Sequence, residues 1–81
     1  MSEQEIFDAV QEIFRDIFDE DDLTITRATT AADIEDWDSL EQINLLVAME
    51  GRFKIKFKLE DVSNLADVGD MLDLIVRLVN Q

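Results

Sequence analysis

Apolar side chains recur every three or four residues near the start of the chain. Ile6, Phe7, Val10, Ile13, Phe14, Ile17 and Phe18 fall along one face of a helix running from Glu3 to Asp19. Ser2 is placed to cap it, with Glu5 as the capping-box partner, while Glu3 and Asp8 suit the positive end of the helix dipole. The pattern then breaks. From Glu20 to Asp36 the only large apolar residues are Leu23, Ile25 and Ile34, too few for an amphipathic helix but enough to anchor a long loop over a core.

Regular spacing resumes at Asp38, an N-cap candidate with Glu41 three residues on, followed by Leu40, Ile43, Leu45, Leu46, Val47 and Met49. A second helix therefore starts at or beside Ser39. Gly51 costs about 1 kcal/mol relative to alanine inside a helix and is favoured just past its end, so this helix is expected to stop a turn earlier than its apolar pattern suggests. Beyond it, Phe53, Ile55, Phe57 and Leu59 alternate with Arg52, Lys54, Lys56 and Lys58. Alternation signals a half-buried strand, but no other segment offers a pairing partner, and a lone strand leaves its backbone groups unbonded. An extended connector with its apolar side chains turned inward is the better expectation. Leu59, Val62 and Leu65 then have the one-turn spacing of a short helix, and Asp67 can cap a last helix carrying Val68, Met71, Leu72, Ile75, Leu78 and Val79.

The expected fold is all-α, with three long helices, a short third helix and a long first loop. With 81 residues, no proline and no low-complexity stretch, there is room for one domain and no interior linker. Charge narrows the function. Twenty acidic residues against seven basic ones give a net charge of −13, which repels nucleic acid and anionic lipid and favours basic protein partners. The imbalance is local: residues 1 to 38 hold thirteen acids and two bases, residues 39 to 81 seven and five. Met1 to Glu5 lack the basic and apolar regions of a signal peptide and no apolar run is long enough to span a bilayer, so a cytoplasmic protein without membrane insertion is expected.

The absence of histidine and cysteine removes Ser-His-Asp and Cys-His nucleophiles and the usual zinc ligand sets. Abundant carboxylates on a polar surface read as solvated charge rather than as acid/base pairs. Asp19, Glu20, Asp21 and Asp22 open like a calcium loop, but Thr24 stands where such a loop needs glycine and Thr30 where it needs a chelating glutamate. No catalytic and no metal-binding residue is assigned. What stands out is Ser39, at a helix start after a long loop. Either Ser39 or Asp38 merely caps the helix, or the first-turn N–H groups and the dipole favour a phosphodiester on the Ser39 hydroxyl, with Asp38 opposing it.

Three successive segments, Asp36-Trp37-Asp38-Ser39-Leu40-Glu41, then Leu45-Leu46-Val47-Ala48-Met49-Glu50, then Phe53-Lys54-Ile55-Lys56-Phe57, resemble the acyl carrier proteins and the related carrier domains of polyketide and peptide synthases. In those proteins an Asp-Ser-Leu serine opens the second helix, which ends in an Ala-Leu-Glu-like triplet before a phenylalanine and an alternating segment. The resemblance covers the whole chain, 1–81. It implies a four-helix bundle of acyl-carrier type and a protein that is not itself an enzyme. It also implies a 4'-phosphopantetheine group, transferred from coenzyme A to Ser39 by a phosphopantetheinyl transferase, whose thiol carries acyl groups as thioesters. By the same resemblance Asp38 takes part in the transferase reaction, and Leu40, Glu41, Val47 and Glu50 dock acyl-transferring or acyl-activating enzymes with basic docking surfaces, from a monomer. Leu40 and Val47 read equally as core residues, Glu41 as a cap partner, and Trp37 as a plug of the loop against the bundle or as a platform beside the attachment point.

Two features depart from the family pattern. Asn44 and Gly51 occupy commonly acidic positions of the second helix, and Arg52, Lys54, Lys56 and Lys58 place four of the seven basic residues just beyond it. These lysines are either a charge comb that prevents strand pairing or a patch for a particular partner. The chain is accordingly expected to be a specialised carrier of a lipid, polyketide or cell-envelope pathway, with an unmodified acidic adaptor for a basic partner as the alternative. The self-repulsion of so acidic a chain generates an outcome independent of either. Added salt or divalent cations should raise the melting temperature followed by circular dichroism, and a salt-independent melting curve would contradict it.

Overall fold

The computed structural model describes residues 1–80. Four helices follow one another: α1 (Glu3–Phe18), α2 (Ser39–Phe53), the short α3 (Leu59–Val62) and α4 (Val68–Val79). Among the described residues there is no strand, and a single 3-10 turn, Ala31–Asp33, interrupts the long α1–α2 loop. α1 packs against both α2 and α4, which bury Ile6, Val10 and Phe14 of α1 against Leu45 and Met49 of α2 and Val68, Leu72 and Ile75 of α4. Of the alternating segment only residues 55–58 form the expected connector between helices; Arg52 and Phe53 belong to α2 and Leu59 to α3.

The start of α1 follows its sequence signal. The Ser2 Oγ accepts from the Glu5 N–H at 3.1 Å and the Glu5 carboxylate accepts from the Ser2 N–H at 3.0 Å, closing both halves of the capping box. The Ser2 backbone N–H, and after it the Ser2 hydroxyl, hold the Glu5 carboxyl below its ordinary value. Asp19 is not a helical residue but the C-cap, in the left-handed region that aspartate tolerates.

The loop is anchored by side chains the sequence singled out and by backbone contacts it did not announce. Ile25 and Ile34 are buried and Leu23 is half-buried. Arg15 donates to the Leu23 carbonyl at 2.7 Å, and the Gln11 carboxamide accepts from the Ile25 N–H at 3.1 Å. At its other edge the loop meets α4. The N–H groups of Val68 and Gly69, free because they lie in a first helical turn, donate to the carbonyls of Thr29 at 2.9 Å and Arg27 at 2.8 Å. The Arg27 side chain reaches across to Asp73 at 2.8 Å and to Glu3 at 3.3 Å, and the Asp73 hydrogen bond is the main cause that raises its pKa.

Two expectations are corrected. α2 does not stop a turn before its apolar pattern ends: Gly51 lies inside it and the helix continues to Phe53. Met49 and Phe53 are both core residues, and keeping Phe53 in helical register with Met49 outweighs the glycine penalty. The left-handed cap residue is Lys54, with φ of 57°. Leu59 does not turn inward with the rest of the connector. Ile55 and Phe57 are half-buried against the core, whereas Leu59 opens α3 and is 83% exposed.

The two glycines of the chain therefore predict opposite effects. A methyl group at Gly51 meets nothing within 4 Å, whereas at Gly69 it lies 2.9 Å from the Arg27 carbonyl oxygen and 3.2 Å from Asp67 Oδ1. Gly51→Ala should stabilise by about 1 kcal/mol. Gly69→Ala gains the same helix propensity but strains or breaks the loop contact, for a net loss of about 1–3 kcal/mol. Equal shifts in thermal or urea unfolding would contradict this account.

Candidate functional site

The residues singled out around Ser39 converge at the N-terminal end of α2. Asp38 has extended backbone geometry and caps the helix, its Oδ1 accepting from the Glu41 N–H at 2.9 Å. The reciprocal half of a capping box is not formed: the Glu41 carboxylate accepts instead from the Asn44 side-chain amide at 2.7 Å, so the cap-partner reading of Glu41 is corrected. With Asp38 as the cap, Ser39 has no capping duty. It is the first residue of α2, exposed, and among the described residues its hydroxyl makes no hydrogen bond.

Trp37 is a plug for the loop. Its half-buried ring meets Phe14 edge-on at 5.2 Å and tilts against Phe18 at 6.4 Å, contacts of the kind worth about 0.5–1.5 kcal/mol beyond area burial. The indole N–H donates to Gln42 Oε1 at 2.7 Å, tying the loop end to the second turn of α2. Gln42 carried no signal in the sequence beyond being a polar residue on an apolar helix. Together Trp37, Ser39, Gln42 and Ile43 form one wall of a groove of about 610 Å³, closed on the other side by Val62, Leu65, Ala66 and Met71. The groove thus begins at the Ser39 hydroxyl and runs between α2 and the α3–α4 segment over mostly apolar side chains.

On the outer side of α2 the two readings of Leu40 and Val47 separate. Leu40 is 65% exposed and Val47 61% exposed, so neither belongs to the core. Ile43, one turn after Leu40 and one before Val47, is 58% exposed and completes the stripe; in the sequence it counted only as one of the apolar residues of the second helix. Its spacing was the available signal, because at 100° per residue Leu40, Ile43 and Val47 lie roughly opposite Leu45, Met49 and Phe53. α2 is apolar on two opposed faces, one buried and one bare. Glu50 follows Val47 by one turn on the same side of α2 but is not bare. It is half-buried, and its Oε2 accepts from the Phe57 N–H at 2.9 Å, fastening the connector to the end of α2.

The arrangement has the parts for carrying a group. It holds an unbonded hydroxyl at a helix start, an apolar groove beside it and a bare apolar stripe behind it. Among the described residues no side-chain nitrogen or oxygen is buried without a partner, and no group of three or more carboxylates converges as a metal site.

The family model described as the phosphopantetheine attachment site matches residues 8–75. The chain belongs to the acyl carrier protein family. It is similar to the acyl carrier protein of Petrotoga mobilis, 29% identical over 80 residues that cover 99% of this chain and 94% of that protein. It is also similar to that of Lactobacillus acidophilus, 28% identical over 75 residues, covering 93% and 94%. Among solved structures, a holo acyl carrier protein from Geobacter metallireducens superposes with a TM-score of 0.87 at 44% identity, over 93% of this chain and 86% of that one. Acyl carrier proteins are carriers rather than enzymes, and their 4'-phosphopantetheine is held covalently. The residues at the start of α2 fit such a group: Ser39 offers a free hydroxyl for the ester bond, and the groove next to it offers apolar shelter.

Two substitutions at Asp38 separate its cap from its charge. Asp38→Ala, which removes the cap, should cost about 1 kcal/mol in urea unfolding. Asp38→Asn, which keeps a capping oxygen, should leave stability within about 0.5 kcal/mol of the parent. Comparable losses for both would contradict the capping assignment.

Proposed function

We propose that this acyl carrier protein holds its 4'-phosphopantetheine on Ser39 and delivers acyl thioesters to partner enzymes that dock on the exposed stripe of α2. The observation that carries this reading is the position of the Ser39 hydroxyl: exposed, unbonded, and set between the groove and the stripe. A phosphodiester at that position meets the free N–H groups of the first turn and the positive end of the helix dipole. Asp38 opposes it, but one oxygen of that carboxylate is already bonded to the Glu41 N–H. Bound there, the group supplies the thiol on which acyl chains ride as thioesters.

The chain's own residues do the rest. Trp37, Ile43, Val62, Leu65 and Met71 line the groove and let the first carbons of an acyl chain leave water. Asp38 and Glu41 present negative charge to basic docking surfaces on the phosphopantetheinyl transferase and on acyl-transferring or acyl-activating enzymes, where charge complementarity steers encounter. Leu40, Ile43 and Val47 supply the apolar contact, which is where docking energy concentrates. Glu50 adds only the carboxylate oxygen that Phe57 leaves free. With no histidine in the chain, bases and oxyanion donors come from the partner.

Residues 1–81 act in this reading as one monomeric carrier domain in the cytoplasm, where no helix among the described residues is long and apolar enough to cross a membrane. The neutral positions Asn44 and Gly51 thin the acidic docking face. That favours a specialised carrier of a lipid, polyketide or cell-envelope pathway over the housekeeping carrier of fatty-acid synthesis.

Incubation with coenzyme A and a broad-specificity phosphopantetheinyl transferase should raise the intact mass by one phosphopantetheine, and Ser39→Ala should abolish the gain. Val47→Asp, at an exposed position, should keep the fold while lowering kcat/KM for the loading reaction about tenfold or more. A folded protein that accepts no group, or accepts it on another residue, would refute the assignment and leave the unmodified adaptor.

A further inference from the structure

The four arginines and the three lysines of the chain are used differently. Arg15 is bonded to the Leu23 carbonyl, Arg27 to Asp73 and Glu3, Arg52 to Glu12 at 3.1 Å and Arg77 to Asp61 at 3.2 Å, so that each arginine ties one segment of the bundle to another. The lysines all lie in one stretch of five residues, at positions 54, 56 and 58. All three are exposed, and among the described residues none has an ion-pair partner. A protein with twenty carboxylates has left its lysines unpaired.

Local folding does not account for them. Lys54 suits the negative end of α2, yet it holds φ of 57°, where glycine or asparagine is less strained. Lys58 precedes the first turn of α3, an end that a cation opposes and that an ammonium, with no acceptor, cannot cap. A guard against strand pairing has little to guard, because the Ile55 and Phe57 N–H groups are both already bonded to Glu50, at 3.2 and 2.9 Å.

Their surroundings have the form of a contact surface. Ile55 and Phe57 turn toward the core, leaving the lysines on the solvent side, with Lys56 and Lys58 roughly 7 Å apart along extended chain. Beside them is a shallow recess of about 450 Å³ lined by Val47, Glu50, Gly51, Lys54, Ile55 and Lys56, open because Gly51 contributes no side chain. The recess begins at Val47, where the docking stripe ends, roughly 12 Å along α2 from Ser39, and reaches Lys54 at roughly 22 Å.

We propose that Lys54, Lys56 and Lys58 form a second docking site, for an acidic segment of a protein partner whose carboxylates pair with the lysines and whose apolar side chain enters the recess at Val47 and Ile55. This rests on the carrier reading and adds orientation to it. The Ser39 end of α2 carries Glu35, Asp36, Asp38 and Glu41, and the far end carries the lysines, so a partner with a basic patch at its active-site mouth and an acidic patch roughly 20 Å away fits one way round. Reversed, like charges meet. The net charge of −13 favours a short acidic segment over an anionic bilayer or nucleic acid, whose extended charge would also face the carrier's own carboxylates.

The test titrates the full-length, isotopically labelled holo protein with a short acetylated peptide in which aspartates flank a single leucine, following backbone amide shifts. Shifts should concentrate in residues 47–59, weaken with added salt, and vanish for a control peptide with lysines in place of the aspartates. Replacing all three lysines by glutamine should raise Kd at least about tenfold. Lys56→Gln alone, at an exposed connector position, should raise it about threefold, which keeps the outcome readable if the triple variant folds poorly. Shifts elsewhere, unchanged affinity in Lys56→Gln, or the same shifts produced more readily by phosphatidylglycerol vesicles or a single-stranded oligonucleotide would overturn the proposal. Intact mass on the same samples reads Ser39 loading independently: loading without peptide binding sinks the second site alone, and failed loading sinks the carrier assignment beneath it.

Discussion

The placement of the α1–α2 loop is the constraint on which the rest of the structure depends. Twenty residues separate Phe18 from Ser39, and most are polar or acidic, so little hydrophobic free energy is available to hold them. Ile25, Ile34 and Trp37 supply the buried surface. Arg15 and Gln11 of α1 hold the first part of the loop by the Leu23 carbonyl and the Ile25 N–H, and the free N–H groups at the head of α4 donate to the Thr29 and Arg27 carbonyls, so that helix-end donors and loop acceptors satisfy one another. Gly69 is what permits that close approach. The end of the same loop carries Trp37, which packs on Phe14 and Phe18 and forms part of the groove wall beside Ser39.

How much of this was legible in the sequence follows from which interactions are local. The capping box at Ser2 and Glu5, the Asp38 and Asp67 caps, and the apolar faces of α1 and α4 rest on residues three or four apart, and all appear where the spacing places them. The extended connector was legible because an alternating segment without a partner cannot be a sheet. The end of α2 was not, because whether Gly51 stops a helix depends on whether Phe53 is needed in the core, a tertiary matter. Leu59 was misplaced for a similar reason: one residue of helix at the start of α3 turns an inward position outward.

At the candidate site, motif and spacing were enough to single out Ser39 and Asp38, and Trp37 was legible as a plug. The outward face of α2 was only half legible, since a helix apolar on two sides does not say which side the bundle takes. Ile43 belongs to the bare stripe for the geometric reason that Leu45, Met49 and Phe53 take the opposite side. The links from Trp37 to Gln42, from Glu50 to Phe57 and from Arg27 to Asp73 join segments that no local pattern connects. Glu50 has a structural duty that its position did not announce, because one of its two carboxylate oxygens accepts from the Phe57 N–H.

The core contains no polar or charged side chain among the described residues. All the carboxylates are therefore at or near the surface, and acid has no buried ion pair to break from within. What acid does remove is mutual repulsion between molecules. Near the sequence isoelectric point of about 4.1, copies of the chain meet with no net charge and with Leu40, Ile43 and Val47 uncovered, the condition under which bare apolar surfaces adhere. The acidity of this carrier thus acts as its solubilising agent: it lets a molecule display an adhesive strip to its clients without adhering to itself.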